Sequence, residues 1–237
     1  MEKQRLDKFI ANQMIISRTE SKSAIRSGKV SIDGVTVRDP SAVFDACKCE
    51  IKFCGGIIKY KKHIYIMMNK PAGILSAATD KSKKTVVDLV PDGMRRNGLF
   101  PVGRLDKDTT GLIIITDDGE FAHNCISPKK KVEKSYVATL DGDIGEKTVQ
   151  AFEKGVVLAD GTVCKSAKLE RISENICRII ISEGKYHQIK RMFGTVGLGV
   201  NALHRERIGR LSLPDGLEEG KCTELDEKML ELALFSE

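Results

Sequence analysis

Leu6, Phe9, Ile10 and Met14 recur at helical spacing, which predicts an amphipathic helix over residues 5–14. A second helix is predicted to begin near Thr19, with Ser17 or Thr19 as its cap, and to end at Gly28. The period then changes, because VSIDGVTV alternates around Asp33-Gly34, the preferred two-residue hairpin turn. From His63 onward strands dominate. IYIMMNKPAG predicts a strand ending in a Pro-Gly bend, and the run Leu112 to Ile115, bounded by Gly111 and Asp117-Asp118-Gly119, a strand covered on both faces. KSYVATL places Tyr136, Ala138 and Leu140 on one face, and NICRIIISEG is another strand. TVVDLV is a short helix or turn, and FAHNCI one or two helical turns with Phe121, Cys125 and Ile126 inward. DIGEKTVQAFEKG predicts a helix closed by Gly155. In EGKYHQIKRMFGTVG, Ile189, Met192, Phe193 and Val196 mark the buried side of a helix, with His187, Lys190 and Arg191 opposite. Strands and helices in this order, without a regular βαβ repeat, favour α+β with a largely antiparallel sheet.

At 237 residues, 41% hydrophobic and 30% charged, the chain is ordinary globular material with room for a small and a medium domain. No stretch approaches the ~20 apolar residues of a membrane span. The start MEKQRLDKFIANQ is too charged for a secretory signal, so the expectation is a cytoplasmic protein with reduced thiols. The seven cysteines contain no CxxC pair, and the nearest group, Cys47, Cys49 and Cys54, has only His63 as a further ligand. Cys47 and Cys49 at alternate positions suit one face of a strand, and no metal is expected.

The net charge of +6 is unevenly placed. Residues 1–62 carry 13 basic and 7 acidic groups, a difference of +6, which leaves 26 and 26 of the totals 39 and 33 for residues 63–237. This predicts a basic module joined to a neutral body, with Gly55-Gly56 and the run Lys59 to Lys62 as the linker between domains 1–60 and 61–237. Arg18, Lys22, Arg26 and Lys29 fall four, four and three apart, on one helical face, where they repel one another unless an anion lies across them. A second basic cluster, at the start of the helix in KYHQIKRMF, opposes the helix macrodipole. Asp106, in GRLD just ahead of the buried strand, is either a group with chemistry to do or a surface partner of Arg104 or Lys107.

The basic stripe, the hairpin VSIDGVTV and the Arg5-Leu6-Asp7 start make residues 3–60 resemble the S4 domain, a small RNA-binding module. Over its whole length, through NKPAGILS, VGRLDKDTTGLIIITDDG, KSYVATL, HQIKRMF and LHRERIG, the chain resembles a pseudouridine synthase of the family that modifies ribosomal RNA and carries an N-terminal S4 domain. HQIKRMF with LHRERIG points to the small-subunit (16S) branch, and large-subunit (23S) enzymes are similar too. The resemblance implies a small α/β S4 domain followed by a mixed, largely antiparallel catalytic domain. It implies that Asp106 is the nucleophile and that uracil is detached, turned and rejoined to ribose through carbon, with attack on base or sugar left open. No metal, nucleotide or redox cofactor enters. Tyr136 would stack on the flipped base, Leu203 would lie against it, and Arg104 would fill the gap in the RNA or hold a phosphate. Lys190 would pair with Asp106, a role Arg191 could exchange with it because both face the same side. His187 and His204 would be hydrogen-bonding scaffold. Arg5, Arg18, Lys22, Arg26 and Lys29 would contact RNA. The expected partner is ribosomal RNA or an assembling ribosomal particle, bound by a monomer, with no membrane. A noncatalytic RNA-binding factor on the same fold would be expected to lose Asp106, Tyr136 or the basic cluster, and all are present.

Overall fold

The structure, a computed structural model, describes residues 3–235. Contacts divide it into two units. The first holds the chain up to Ile64 together with Asp92–Gly98, and the second holds Tyr65–Pro91 and Leu99 onward.

In the first unit β1 (Lys3–Arg5) leads into α1 (Leu6–Met14) and α2 (Arg18–Arg26), followed by β2 (Val30–Ile32), β3 (Val35–Thr36), β4 (Val43–Asp45), β5 (Ile51–Phe53) and β6 (Gly56–Ile57). β1 pairs with β4, and a separate sheet runs β3-β2-β5-β6. Leu6, Phe9 and Ile10 of α1 and Ile25 of α2 are fully buried against Val30, Phe44 and Ile51, each contributing roughly 1.5–3 kcal/mol of transfer free energy. Ser17 caps α2 in a reciprocal box: its side chain accepts from Glu20 N at 3.2 Å while its own N–H donates to Glu20 at 2.8 Å. The helix ends at Arg26, and Gly28 turns the chain at φ +79°, so Lys29 lies beyond the helix and off the predicted stripe. The hairpin turn has Asp33 and Gly34 at φ 48° and 82°, the left-handed pair it requires. Cys47 and Cys49 sit in the turn after β4, held by Asp45, and not on a strand face. Residues 92–98, remote in sequence, join this unit through Asn97 donating to Ala11 O and Arg96 to Lys61 O at 2.6 Å.

The second unit contains β7 (Tyr65–Lys70), β8 (Phe100–Pro101), β9 (Thr110–Thr116), α3 (Gly119–Ile126), β10 (Lys134–Leu140), α4 (Glu146–Lys154), β11 (Lys168–Arg171), β12 (Ile176–Ile181), α5 (Gln188–Thr195), β13 (Val200–Ile208), β14 (Leu211–Ser212), β15 (Cys222–Glu224) and α6 (Glu227–Leu234). One sheet runs β11-β12-β10-β13-β9-β7-β15, with β14 on β13 and β8 on β9. Every pairing is antiparallel except β13 with β9, so this is the mixed, largely antiparallel sheet of an α+β fold. Leu112 to Ile115 are all at 0% exposure, as a strand covered on both faces must be. Leu112 and Ile114 pack on Phe121 and Cys125 of α3 and Ala233 of α6. Ile126, expected inward, is 45% exposed because it occupies the last position of α3, and TVVDLV forms turns. Gly111 adopts φ +101°, and a Cβ there would stand 2.3 Å from Arg205 O, so the parallel join of β9 to β13 requires glycine.

Candidate active site

Asp106 lies in the loop between β8 and β9, and that loop is held from two sides. Lys70, at 0% exposure, donates to Pro71 O at 3.1 Å, Lys107 O at 3.1 Å and Thr109 O at 2.8 Å. Ser76 closes a reciprocal pair with Leu105, its hydroxyl donating to Leu105 O at 2.9 Å and accepting from Leu105 N at 3.0 Å. Gly73 N–H donates to Lys107 O and Thr109 N–H to Asp106 O. Leu105 is buried next to Asp106, whose side chain keeps 27% of its exposure. The NKPAGILS segment is therefore the clamp of the aspartate loop, a role the sequence reading did not assign. The available signal was that Lys70 continues the alternation of Ile66 and Met68, placing a lysine at a core position. Burial drives the Lys70 amine down to about 8, against the opposing pull of Asp108 and Asp106.

The side chain facing Asp106 differs from the one expected. His187 Nε2 stands 3.4 Å from Asp106 Oδ1, whereas Lys190 donates to both carboxylate oxygens of Asp108, at 2.7 and 2.6 Å. Arg191 pairs with Asp160 at 2.5 Å. The reason lies in the entry to α5. His187 occupies the N-cap in the left-handed region, φ 46°, which few non-glycine residues adopt, and so is turned away from the path of the helix. The turn is over-determined by Gln188, at 4% exposure, which bonds Glu183 at 2.8 Å and accepts from Lys185 N at 2.9 Å. The Lys190 bond holds the Asp108 carboxyl below the usual range. Asp160 is held at about 2, first by Thr162 and then by Arg191.

Tyr136 on β10 is in register with Arg205 on β13, and Ala138 with Leu203. Tyr136 and Leu203 are 8% and 6% exposed. Arg205, at 3% exposure, donates to Leu112 O at 2.7 Å and to the Tyr136 hydroxyl at 3.4 Å, with its guanidinium 5.9 Å from the ring centroid. Its remaining nitrogen, Nη2, is buried and without a partner among the described residues. Arg205 belongs to HRERIG, and neither its burial nor its contact with Tyr136 was read from sequence. His204 bonds Thr110 at 2.8 Å, and burial lowers its pKa, which suits a neutral scaffold ring. Arg104 is exposed on the aspartate loop.

In the first unit Arg5 and Arg18 both reach Asp7 at 3.1 Å while staying 51% and 59% exposed. Burial alone would raise the Asp7 pKa, but the two guanidinium groups hold it low. Lys22 is half-buried and Arg26 exposed on α2.

Three comparisons bear on this arrangement. A family model described as RNA pseudouridylate synthase matches residues 64–195, and one described as S4 domain matches residues 4–46. An uncharacterised RNA pseudouridine synthase of Bacillus subtilis is 41% identical over 232 residues, covering 96% of this chain and 97% of its own length. The ribosomal small subunit pseudouridine synthase A of Escherichia coli K12 is 39% identical over 227 residues, covering 94% and 97%. Among solved structures, a pseudouridylate synthase crystal structure superposes with a TM-score of 0.69 at 36% identity, covering 97% of this chain and 99% of its own. The clamped aspartate loop and the mixed sheet thus sit in a chain that belongs, over nearly its full length, to the RNA pseudouridine synthase family, with an S4 domain at its N-terminal end.

Proposed function

We propose that this enzyme isomerises a uridine of ribosomal RNA, in the small subunit, to pseudouridine with Asp106 as the nucleophile. The observation that carries the reading is the placement of Asp106: its carboxylate is partly exposed while its loop is clamped by the buried Lys70 and by Ser76. A nucleophile must be reachable and must not wander, and this loop meets both demands. The small-subunit assignment is supported by the 39% identity to the Escherichia coli enzyme named for that subunit.

The reaction conserves atoms. The bond from uracil N1 to ribose C1′ breaks, a bond from C5 to C1′ forms, the C5 proton departs and N1 gains one. The uridine must first leave its stack, at a cost of a few kcal/mol. Tyr136 supplies a flat ring for the displaced base, positioned by Arg205, and Leu203 an apolar neighbour. Lys190 places positive charge on Asp108, and the His187 ring stands beside Asp106. Arg104, exposed on the same loop, is the group for a backbone phosphate or the vacated stack.

Asp106→Asn tests the reading, because an amide keeps the shape and is a far poorer nucleophile. Pseudouridine formation on a small-subunit rRNA fragment should fall to below roughly one-hundredth of wild type with RNA binding retained. Turnover above that level would remove Asp106 from the nucleophile's role. Mapping pseudouridine in both rRNAs from cells with and without the gene decides the subunit.

A further inference from the structure

Of the four tyrosines in the chain, Tyr60 and Tyr65 are half-buried, Tyr136 is buried, and Tyr186 alone is exposed, at 73%. A single exposed ring is ordinary on a protein surface. Three features set this one apart. Its ring lies 3.8 Å from the His187 ring, centroid to centroid, and 20° from parallel, so one face is covered by a flat group and the other stays open to solvent. His187 in turn stands 3.4 Å from Asp106, which puts Tyr186 two contacts from the proposed nucleophile. The third feature is rigidity. The Tyr186 carbonyl accepts from Arg191 at 3.4 Å, and the preceding Lys185 donates its N–H to Gln188 at 2.9 Å and its amine to Val163 O. The left-handed turn at His187 that sets the imidazole beside Asp106 brings the neighbouring ring with it.

A uridine reaches Asp106 only by leaving its stack, and each neighbouring base then loses a stacking partner. Those neighbours are tied to the uridine by the backbone and arrive at the same place. A flat, solvated ring already ordered beside the nucleophile can replace the lost partner. Base and ring both shed water on contact, and little side-chain freedom is left to lose. Tyr136, 8% exposed and assigned to the flipped base, offers no face to a second one.

We propose that the open face of Tyr186 stacks on the base adjoining the target uridine in the RNA strand. The proposal rests on the reaction proposed above and adds a contact outside the pocket of the reacting base. Every base has a π-face, so this contact fixes the register of the strand on the enzyme with little preference for which base stands there.

The test is RNA binding by the full chain, with changes made in both partners. Because Tyr186 is exposed, its replacement leaves the core intact. Tyr186→Leu should weaken binding of a small-subunit rRNA fragment roughly 5- to 150-fold, the range of one base–aromatic stack, and Tyr186→Phe should bind within about twofold of wild type. A nucleotide lacking its base is then moved along the fragment. At one position next to the modified uridine it should cost wild type the same factor and cost Tyr186→Leu less than roughly twofold, while at other positions the two proteins lose equally. The salt slope of Tyr186→Leu should match wild type, since stacking releases no counterions from a phosphate. Losses that add at every position, a flattened salt slope, or a Phe variant as weak as Leu would overturn the assignment. Turnover that falls in Tyr186→Leu with binding unchanged would overturn it too, and leave the ring as a support for His187. Pseudouridine assayed on the same fragment keeps the two readings apart: coupling at one position with no pseudouridine formed removes the reaction and keeps the stack.

Discussion

Lys70 offers the sharpest test of how the aspartate loop is built. Its amine is fully buried and donates to three carbonyls, two of them within the loop that carries Asp106. Lys70→Met keeps the apolar stem and strands the three acceptors. One unsatisfied buried carbonyl costs about 1–3 kcal/mol, and removal of a buried charge offsets part of the total, so a loss of roughly 3 kcal/mol at pH 7 is expected. The pH dependence is more specific. Burial lowers the Lys70 pKa from 10.5 to about 8, so between those values the unfolded chain holds a proton that the folded one has released. Its contribution to stability is therefore fully present above 10.5 and is lost as pH falls through 8. At ~1.36 kcal/mol per pH unit the whole difference is worth about 3 kcal/mol, of which about 2 lies between pH 7 and 10. Lys134, also about 8, and the buried thiols titrate nearby, but they are common to both proteins and cancel in the comparison. Urea unfolding followed by circular dichroism at pH 7, 8.5 and 10 should show wild type pulling away from Lys70→Met by about 2 kcal/mol. Equal stability at pH 7, or a gap that does not change between pH 7 and 10, would refute the buried, charged clamp.

Other substitutions probe the neighbouring contacts. Gly111→Ala combines φ +101° with a Cβ 2.3 Å from Arg205 O, and should destabilise by more than ~3 kcal/mol in thermal or urea unfolding. Tyr136→Phe keeps the ring and removes only the partner of Arg205, so about 1 kcal/mol of stability should go while turnover on rRNA stays within a fewfold. Tyr136→Leu should lower turnover by more than tenfold, because an aliphatic group stacks poorly, and equal rates in the two variants would remove the stacking role. Lys190→Ala leaves Asp108 without its bidentate partner; turnover should fall roughly tenfold and be largely restored in Lys190→Arg. Loss of the same size in Arg191→Ala, whose side chain is held by Asp160, would show that the cluster acts only through its net charge.

Much of this molecule follows from local pattern. The burial of Leu112 to Ile115, the α1 core face and the Asp33-Gly34 turn depend on neighbours within a few residues, and periodicity reports those faithfully. The charge excess of the first 62 residues and the motifs around Asp106 are likewise properties of the string itself. Partners across the sheet are not. Lys190 and Asp108 are 82 residues apart, and which acid a side chain at the start of α5 reaches is decided by the backbone at His187, where a single left-handed residue sets the imidazole against Asp106. Adjacent helical positions differ by about 100°, so spacing could place Lys190 and Arg191 on one side and still leave their partners, Asp108 and Asp160, undetermined. The same holds for the lysine in NKPAG and the arginine in HRERIG. Charge makes both look like surface residues, and only the closed sheet supplies the carbonyls of Pro71, Lys107, Thr109 and Leu112 that let them be buried. Arg96 lies more than thirty positions from Lys61, and its bond to Lys61 O exists only because the chain returns to the first unit at residues 92–98. Sequence determines which apolar positions of an element share a face, because that is periodic; the fold decides whom they meet and which charged groups are buried with them, because register and chain return are set by all elements at once.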